Sequence, residues 1–245
     1  MNILETITER TKERIREEKK QIPINEIRKK AEEKASSDTT KFAFEQALRA
    51  EGLSFICEAK KASPSKGLIA PDFPYVQIAQ DYEAGGAAAI SCLTEEDYFH
   101  GNVDYLKYIR GISPLPILRK DFMIDEYQFY EAKAIGADAV LLIAAILDDA
   151  QMRDFYQLAK ELSLDSLVEV HNEEEMERAL KLDAEIIGVN NRNLKDFTIE
   201  LDTTRRLSKM VPEEKVFVAE SGIITDEDVR FLKQCKVDAF LIGRA

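Results

Sequence analysis

Glu58 and Lys60 stand two residues apart where an apolar run, Leu53 to Ile56, opens into Lys61-Ala62-Ser63-Pro64-Ser65-Lys66-Gly67. On a strand, residues i and i+2 share a face, so an acid and a base are set side by side. The pattern returns in Ile117-Leu118-Arg119-Lys120, Leu167-Val168-Glu169, Ile187-Gly188-Val189-Asn190 and Val216-Phe217-Val218-Ala219-Glu220. A charge closing a buried run is costly unless it is paired or in use. Taken singly, each glutamate reads plainly as a solvated strand cap and Lys120 as a lysine snorkelling to water. Three glutamates, two lysines and an asparagine on one rim point instead to an enzyme. Close carboxylates raise one another's pKa and ammonium groups lower it, so such a set holds an acid and a base near neutral pH.

Ser221-Gly222 and Gly243-Arg244 follow the last two apolar runs. In barrels, loops at those positions often bind phosphate through backbone N–H groups. Ser-Gly alone is a common turn, but its place directly after Glu220, matched by Gly243, favours phosphate. Arg192, within Asn190-Asn191-Arg192-Asn193, offers a charged fork to a substrate anion, with an ordinary surface arginine as the alternative. Tyr98-Phe99 and Phe122 follow the second and third apolar runs, where aromatic rings stack on a flat ligand or simply anchor their loops. His100 and His171 have no second histidine or cysteine at ligand spacing, so both are expected to be ordinary and no metal site is expected.

Eight strands are needed to carry these groups, over about residues 53–60, 87–92, 115–120, 138–143, 165–170, 185–190, 215–220 and 237–242. Four variants of one handover, Gly86-Ala87-Ala88-Ala89-Ile90, Gly136-Ala137-Asp138-Ala139-Val140, Leu182-Asp183-Ala184-Glu185-Ile186 and Val237-Asp238-Ala239-Phe240, each lead from an amphipathic segment into an apolar run. That is how a helix passes to a buried parallel strand. Helix starts are read at Asp72 before Pro74, with Gly85 as the stop, at Asp148, at Asn172 with Glu175, and at Thr225 with Asp228. The α/β class and the eight repeats predict a (β/α)8 barrel, with its active site at the strands' C-terminal ends. A doubly wound open sheet is the rival, but no strand here leads into Gly-x-Gly-x-x-Gly. Residues 1–50 fall outside the repeat. They read as a helical extension packed on the barrel: a charged helix striped by Ile3, Ile7 and Ile15 and broken at Pro23, a second over about 25–34, and a short one carrying Phe44, Ala47 and Leu48. The whole span 1–245 is expected to be one barrel domain, and the extension structural rather than catalytic.

A net charge of −12 over 245 residues opposes nucleic acid and anionic membrane as partners and leaves room for a small anionic substrate beside a local basic cluster. Cys57, Cys92 and Cys235 fit neither disulfide nor zinc spacing and read as reduced thiols. No signal peptide or membrane span is seen, and a cytoplasmic monomer is expected.

Five motifs in order carry a resemblance: Glu58-Ala59-Lys60-Lys61-Ala62-Ser63-Pro64-Ser65, Leu118-Arg119-Lys120-Asp121-Phe122, Leu167-Val168-Glu169-Val170-His171, Gly188-Val189-Asn190-Asn191-Arg192-Asn193-Leu194 and Ala219-Glu220-Ser221-Gly222-Ile223. From about residue 1 to its end the chain resembles the indole-3-glycerol-phosphate synthase family of tryptophan biosynthesis. The resemblance implies the same barrel with its helical extension, a phosphorylated anilino-ribulose substrate, ring closure with loss of carbon dioxide and water, and no cofactor or metal. It implies Lys120 as general acid and Glu58, Lys60 and Glu169 as the acid–base set, with Lys60 also meeting substrate anions. Glu220, Asn190 and Arg192 would complete the polar contacts, with Ser221, Gly222 and Gly243 at the phosphate and Phe99, Phe122, Leu141 and Leu194 as aromatic-pocket walls. Two departures stand out. Arg244 occupies a position where the family usually carries a smaller or acidic residue, which leaves its backbone N–H for the phosphate. The chain ends at Ala245 without the family's closing helix, so a truncated or disordered tail is expected. A phosphate-binding isomerase of the same barrel type, or a metabolite sensor, are the competing readings; the first leaves Lys120 without a task.

Overall fold

The computed structural model describes residues 3–193 and 196–243. Eight parallel strands close a barrel: β1 Ser54–Ala59, β2 Ala89–Leu93, β3 Ile117–Lys120, β4 Ala139–Ile143, β5 Asp165–Val170, β6 Ile186–Asn190, β7 Val216–Glu220 and β8 Ala239–Ile242. They pair in chain order, and β8 returns to β1 with Ser54 opposite Ala239 and Cys57 opposite Ile242, which removes every sheet edge. Each observed strand coincides with an expected one, most of them starting a residue or two later. After β1 the Ser-Pro-Ser segment forms a small antiparallel hairpin, Ala62–Ser63 against Gly67–Leu68, which the sequence did not reveal.

Strand alternation divides the side chains into two sets. Inward along β1, β3, β5 and β7, Ile56, Leu118, Leu167 and Val218 sit in one buried cluster inside the barrel. Two residues further up the same faces stand Glu58, Lys120, Glu169 and Glu220. Outward-facing Ile90, Ile117, Val140, Leu142, Val168, Ile187 and Phe240 pack beneath the surrounding helices. Apart from Ser54, Ser91, Arg119, Asp165 and Ser166, the strands are apolar on both faces below these tips, as expected of a parallel sheet covered on the outside.

Three helices precede the barrel: α1 Ile3–Gln21, α2 Ile24–Ser37 and α3 Ala43–Leu48. α1 buries Ile7, Thr11 and Ile15 and stops ahead of Pro23. α3 turns Phe44 and Leu48 into the barrel floor, in the same cluster as Ile56, Ala139 and Ile186. Seven helices alternate with the strands: α4 Tyr75–Ala84, α5 Val103–Ile112, α6 Glu126–Ile135, α7 Asp149–Glu161, α8 Glu173–Lys181, α9 Asp202–Leu207 and α10 Asp226–Lys233. Thr225 with Asp228 forms the expected capping box, and Asp148 caps α7. Asn172 caps α8, but Glu175 reaches past it to the backbone N–H of His171. Asp72 does not cap α4; Pro74 holds that position, without a side-chain acceptor.

α3 has no cap of its own, since Phe42 precedes it in a left-handed conformation. The floor supplies one: Asp165 Oδ2 accepts the Glu45 N–H at 2.9 Å. Burial pushes the Asp165 carboxyl up to about 7. The folded protein thus holds this proton more tightly than the unfolded chain does. The group's contribution to stability is full below its unfolded pKa and is lost as pH rises through about 7. Asp165→Asn keeps an acceptor oxygen and removes the titration. Urea unfolding at pH 5 and pH 8 is expected to show the variant gaining on the parent by on the order of 2 kcal/mol at the higher pH. An equal difference at both pH values would mean that Asp165 does not titrate in this range.

Candidate active site

The strands' C-terminal ends surround a cavity of about 600 Å³. Lys120 crosses it, donating to Glu220 Oε2 at 2.9 Å and to Glu169 Oε2 at 3.3 Å. On the other side Lys60 Nζ donates to Glu58 Oε2, as their shared strand face requires. Glu58, Glu169 and Glu220 are each 4% exposed or less, which rules out their reading as solvated caps. Asn190 Oδ1 accepts the Arg192 N–H at 3.0 Å, and Arg192 Nη1 donates to the Phe197 carbonyl at 3.3 Å; all three residues line the cavity.

Burial and neighbouring charge act against each other on these groups. Burial alone would lower the Lys120 pKa; Glu220, Glu169 and Glu58 outweigh it and hold the ammonium above its ordinary value. Burial would raise Glu169, but Lys120, His171 and Asn190 pull it well below the ordinary carboxylate range. Glu220 has only Lys120 to oppose burial, with Glu169 and Glu58 repelling, and it is pushed up to about 7. Two carboxylates facing one lysine are thus driven apart, one ionised and one poised to hold a proton.

Two glycines make the crowding possible. A Cβ on Gly188 would run into Glu220 Oε1, and one on Gly243 into Glu58 Oε2 and, at 2.8 Å, Lys60 Nζ. Ser221 and Gly222 both take positive φ, 64° and 79°, turning the chain sharply after β7. Leu241 pairs with Glu220, so the turn at Ser221-Gly222 lies near Gly243, which directly follows the adjoining strand. Lys60, Ser221, Gly222 and Gly243 all line the cavity. The opposite wall holds Phe99 and Phe122, with ring centroids 6.4 Å apart, and Leu141. Leu194 and Arg244 lie outside the described residues. Among the described residues, no three His, Cys, Asp or Glu side chains are arranged to hold a metal ion, and no helix is long and apolar enough to cross a membrane.

Several residues in and around the site carry no clear signal in the sequence. Ile3, Leu4 and Ile7 place the start of α1 on the cavity wall, so the extension belongs to the site as well as to the scaffold. Glu95 is fully buried beyond β2 and accepts the N–H groups of Asp97, Tyr98 and Phe99, setting the loop that presents Phe99. Ile199 and Leu201 pack where a side chain on Gly222 would go. His171, expected to be ordinary, stands between Glu169 and Glu175. Glu95 opens an acidic run, Glu95-Glu96-Asp97, ahead of Tyr98-Phe99, and nothing local distinguishes it from its neighbours. For α1 there was no signal, because its apolar stripe is the same whether it packs on protein or on ligand.

The family described as indole-3-glycerol phosphate synthase has a model that matches residues 4–245. The indole-3-glycerol phosphate synthase of Lachnospira eligens is 51% identical over 246 residues, covering 98% of this chain and 90% of that protein. Those of Lachnoclostridium phytofermentans and Polaromonas naphthalenivorans are each 48% identical, over 98% and 100% of this chain and 92% and 93% of theirs. Among solved structures, the N-acetylmannosamine-6-phosphate 2-epimerase of Clostridium perfringens superposes with a TM-score of 0.61 over 81% of this chain and 88% of its own, at 16% identity, which is a likeness of fold alone. On its sequence from α1 through the eighth strand, the chain belongs to the indole-3-glycerol phosphate synthase family.

Proposed function

We propose that this chain closes the indole ring of tryptophan biosynthesis: it converts 1-(2-carboxyphenylamino)-1-deoxyribulose 5-phosphate into indole-3-glycerol phosphate, releasing carbon dioxide and water. The observation that carries this reading beyond family membership is the Lys120 ammonium, held 2.9 and 3.3 Å from two buried carboxylates and facing a cavity with an aromatic wall.

The chemistry has three stages. The ring carbon bearing the carboxylate attacks the keto carbon, and the keto oxygen takes a proton as the carbon–carbon bond forms. Carbon dioxide then leaves and the benzene ring recovers its aromaticity. Finally the new hydroxyl departs as water while a base removes a proton, completing the pyrrole. Lys120 suits the first stage. A lysine that stays charged through neutral pH gives up its proton only to a stronger base, and an alkoxide forming within reach is one. Glu169, kept ionised, suits the removal of a proton, and Glu58 with Lys60 lies across the cavity for the departure of water. Glu220 pins the Lys120 ammonium, while Asn190 and Arg192 face the substrate's polar groups. The phosphate fits at Ser221, Gly222 and Gly243 beside Lys60, and the carboxylated ring fits between Phe99, Phe122 and Leu141.

The direct test supplies the anilino-ribulose phosphate and follows the indole product by its absorbance; folded protein without turnover would sink the reading. Lys120→Met is expected to cut turnover by about 10² to 10⁴ while product-analogue affinity stays within a few-fold. Lys120→Arg keeps the charge but holds its proton more tightly, with a pKa of about 12.5 or above, in a planar fork. It should fail nearly as badly as methionine. An active arginine variant would make Lys120 an electrostatic anchor and move the acid to Lys60. Gly222→Val, which must push into Ile199 and out of its left-handed turn, is expected to raise KM by roughly tenfold with circular dichroism unchanged. An unchanged KM in that folded variant would place the phosphate elsewhere.

A further inference from the structure

His171 follows β5 directly and has a carboxylate at each ring nitrogen. Nδ1 lies 3.0 Å from Glu175 Oε2, and Nε2 lies 3.4 Å from Glu169 Oε1. Nε2 is buried, forms no hydrogen bond, and has that carboxylate as its ion-pair partner. Glu175 is itself held firmly: Oε2 also accepts the His171 backbone N–H at 2.8 Å, and Oε1 accepts from Asn172 Nδ2 at 2.9 Å. The other charges on α8 are engaged elsewhere or exposed. Glu173 pairs with Arg206 at 2.6 Å; Arg178 pairs with Asp149 at 2.6 Å and donates to the carbonyls of Ala144 and Leu147. Glu174 and Glu177 face water. From β6, the only polar group near Glu169 is the Asn190 amide.

A neutral imidazole has one donor nitrogen and one acceptor nitrogen, so it would turn a lone pair towards one of these two carboxylates. Only the doubly protonated ring meets both with a hydrogen. We propose that His171 is a positioning residue for Glu169: an imidazolium held between Glu175 and Glu169 that keeps Glu169 ionised and turned towards Lys120. The resulting line, Glu175–His171–Glu169–Lys120, alternates in charge from the first turn of α8 to β3. Burial by itself would drive the ring towards neutrality, yet the carboxylates of Glu169 and Glu175 outweigh it and hold the pKa near 10. The consequence for catalysis rests on Glu169 being the base of the proposed reaction; the charge state of the ring does not.

The chain's two histidines make this measurable. In His100→Gln only one imidazole remains, and its proton and nitrogen NMR signals are expected to stay those of the imidazolium up to at least pH 8. A ring titrating near the ordinary value of about 6.5 overturns the proposal. Glu175→Gln in the same background should lower the ring's midpoint by about 1 unit or more, and an unmoved midpoint overturns it as well. His171→Gln keeps a donor for Glu169 and removes the charge. The acid limb of its kcat profile is expected to move to higher pH by about 1 to 3 units, because Glu169 then takes up a proton more readily, with KM within about threefold. A loss equal at every pH, or one confined to KM, marks a merely structural residue. If His171→Gln does not fold, the Glu175→Gln titration decides. Parent enzyme that fails to turn over strikes at the proposed reaction and leaves the NMR result standing.

Discussion

Three carboxylates lie almost wholly out of water in the barrel mouth, and none of them can remain charged there without a cation against it. That constraint organises the site. Glu58 is met by Lys60, and Glu169 and Glu220 share Lys120, with His171 behind Glu169. An ionised carboxylate buried alone costs several kcal/mol even after relaxation, so removing any one cation would protonate or displace its partner. The pairs are therefore mutual supports, and their unequal sharing separates the carboxylates: Glu169 answers to two cations and is held well below the ordinary carboxylate range, while Glu220 answers to one and is pushed up to about 7.

The close packing of these charges depends on missing atoms. Gly188 leaves the space that Glu220 fills, and Gly243 leaves the space where Glu58 and Lys60 meet. Gly188 occupies an inward position of β6 and Gly243 directly follows β8, and each stands beside a buried glutamate of the mouth. The barrel interior thus changes character over one residue: below, Ile56, Leu118, Leu167 and Val218 give a dry core; above, the same faces carry ionisable groups with glycines beside them. A dry floor also strengthens every charge interaction above it by keeping the local dielectric low.

The extension before the barrel reaches both of its ends. α3 closes the floor with Phe44 and Leu48, capped by Asp165 from the barrel itself. α1 crosses the mouth, contributing Ile3, Leu4 and Ile7 to the cavity wall. A second buried charge network anchors it. Arg14 pairs with Asp121 at 3.3 Å and Glu95 at 3.6 Å, and Asp121 in turn meets Arg119, which pairs with Glu131 at 2.8 Å. Arg119 and Lys120 are neighbours pointing to opposite sides of β3, one into the helical shell and one into the cavity. The segment that binds α1 is thus the segment that aims Lys120.

The amino-acid sequence by itself determined the strands, their order and the residues at their tips. Buried parallel strands are short apolar runs, a charge closing such a run stands out, and i, i+2 spacing assigns Glu58 and Lys60 to one face whatever surrounds them. It also marked the turn after β7, because glycine there follows a strand that must stop. Only the tertiary structure decided which charge meets which. Lys120 and Glu220 are a hundred residues apart, and nothing local distinguishes Glu169, which keeps two cations, from Glu220, which keeps one. His171 read as ordinary for the same reason: its partners are Glu169 on the strand it follows and Glu175 in the next helix, and the turn between them sets whether the ring faces solvent or both carboxylates. Ile3, Leu4 and Ile7 read as packing because an apolar stripe specifies burial and says nothing of what buries it. Local periodicity is written along the chain, whereas desolvation and pairing depend on distances that exist only once the barrel has closed.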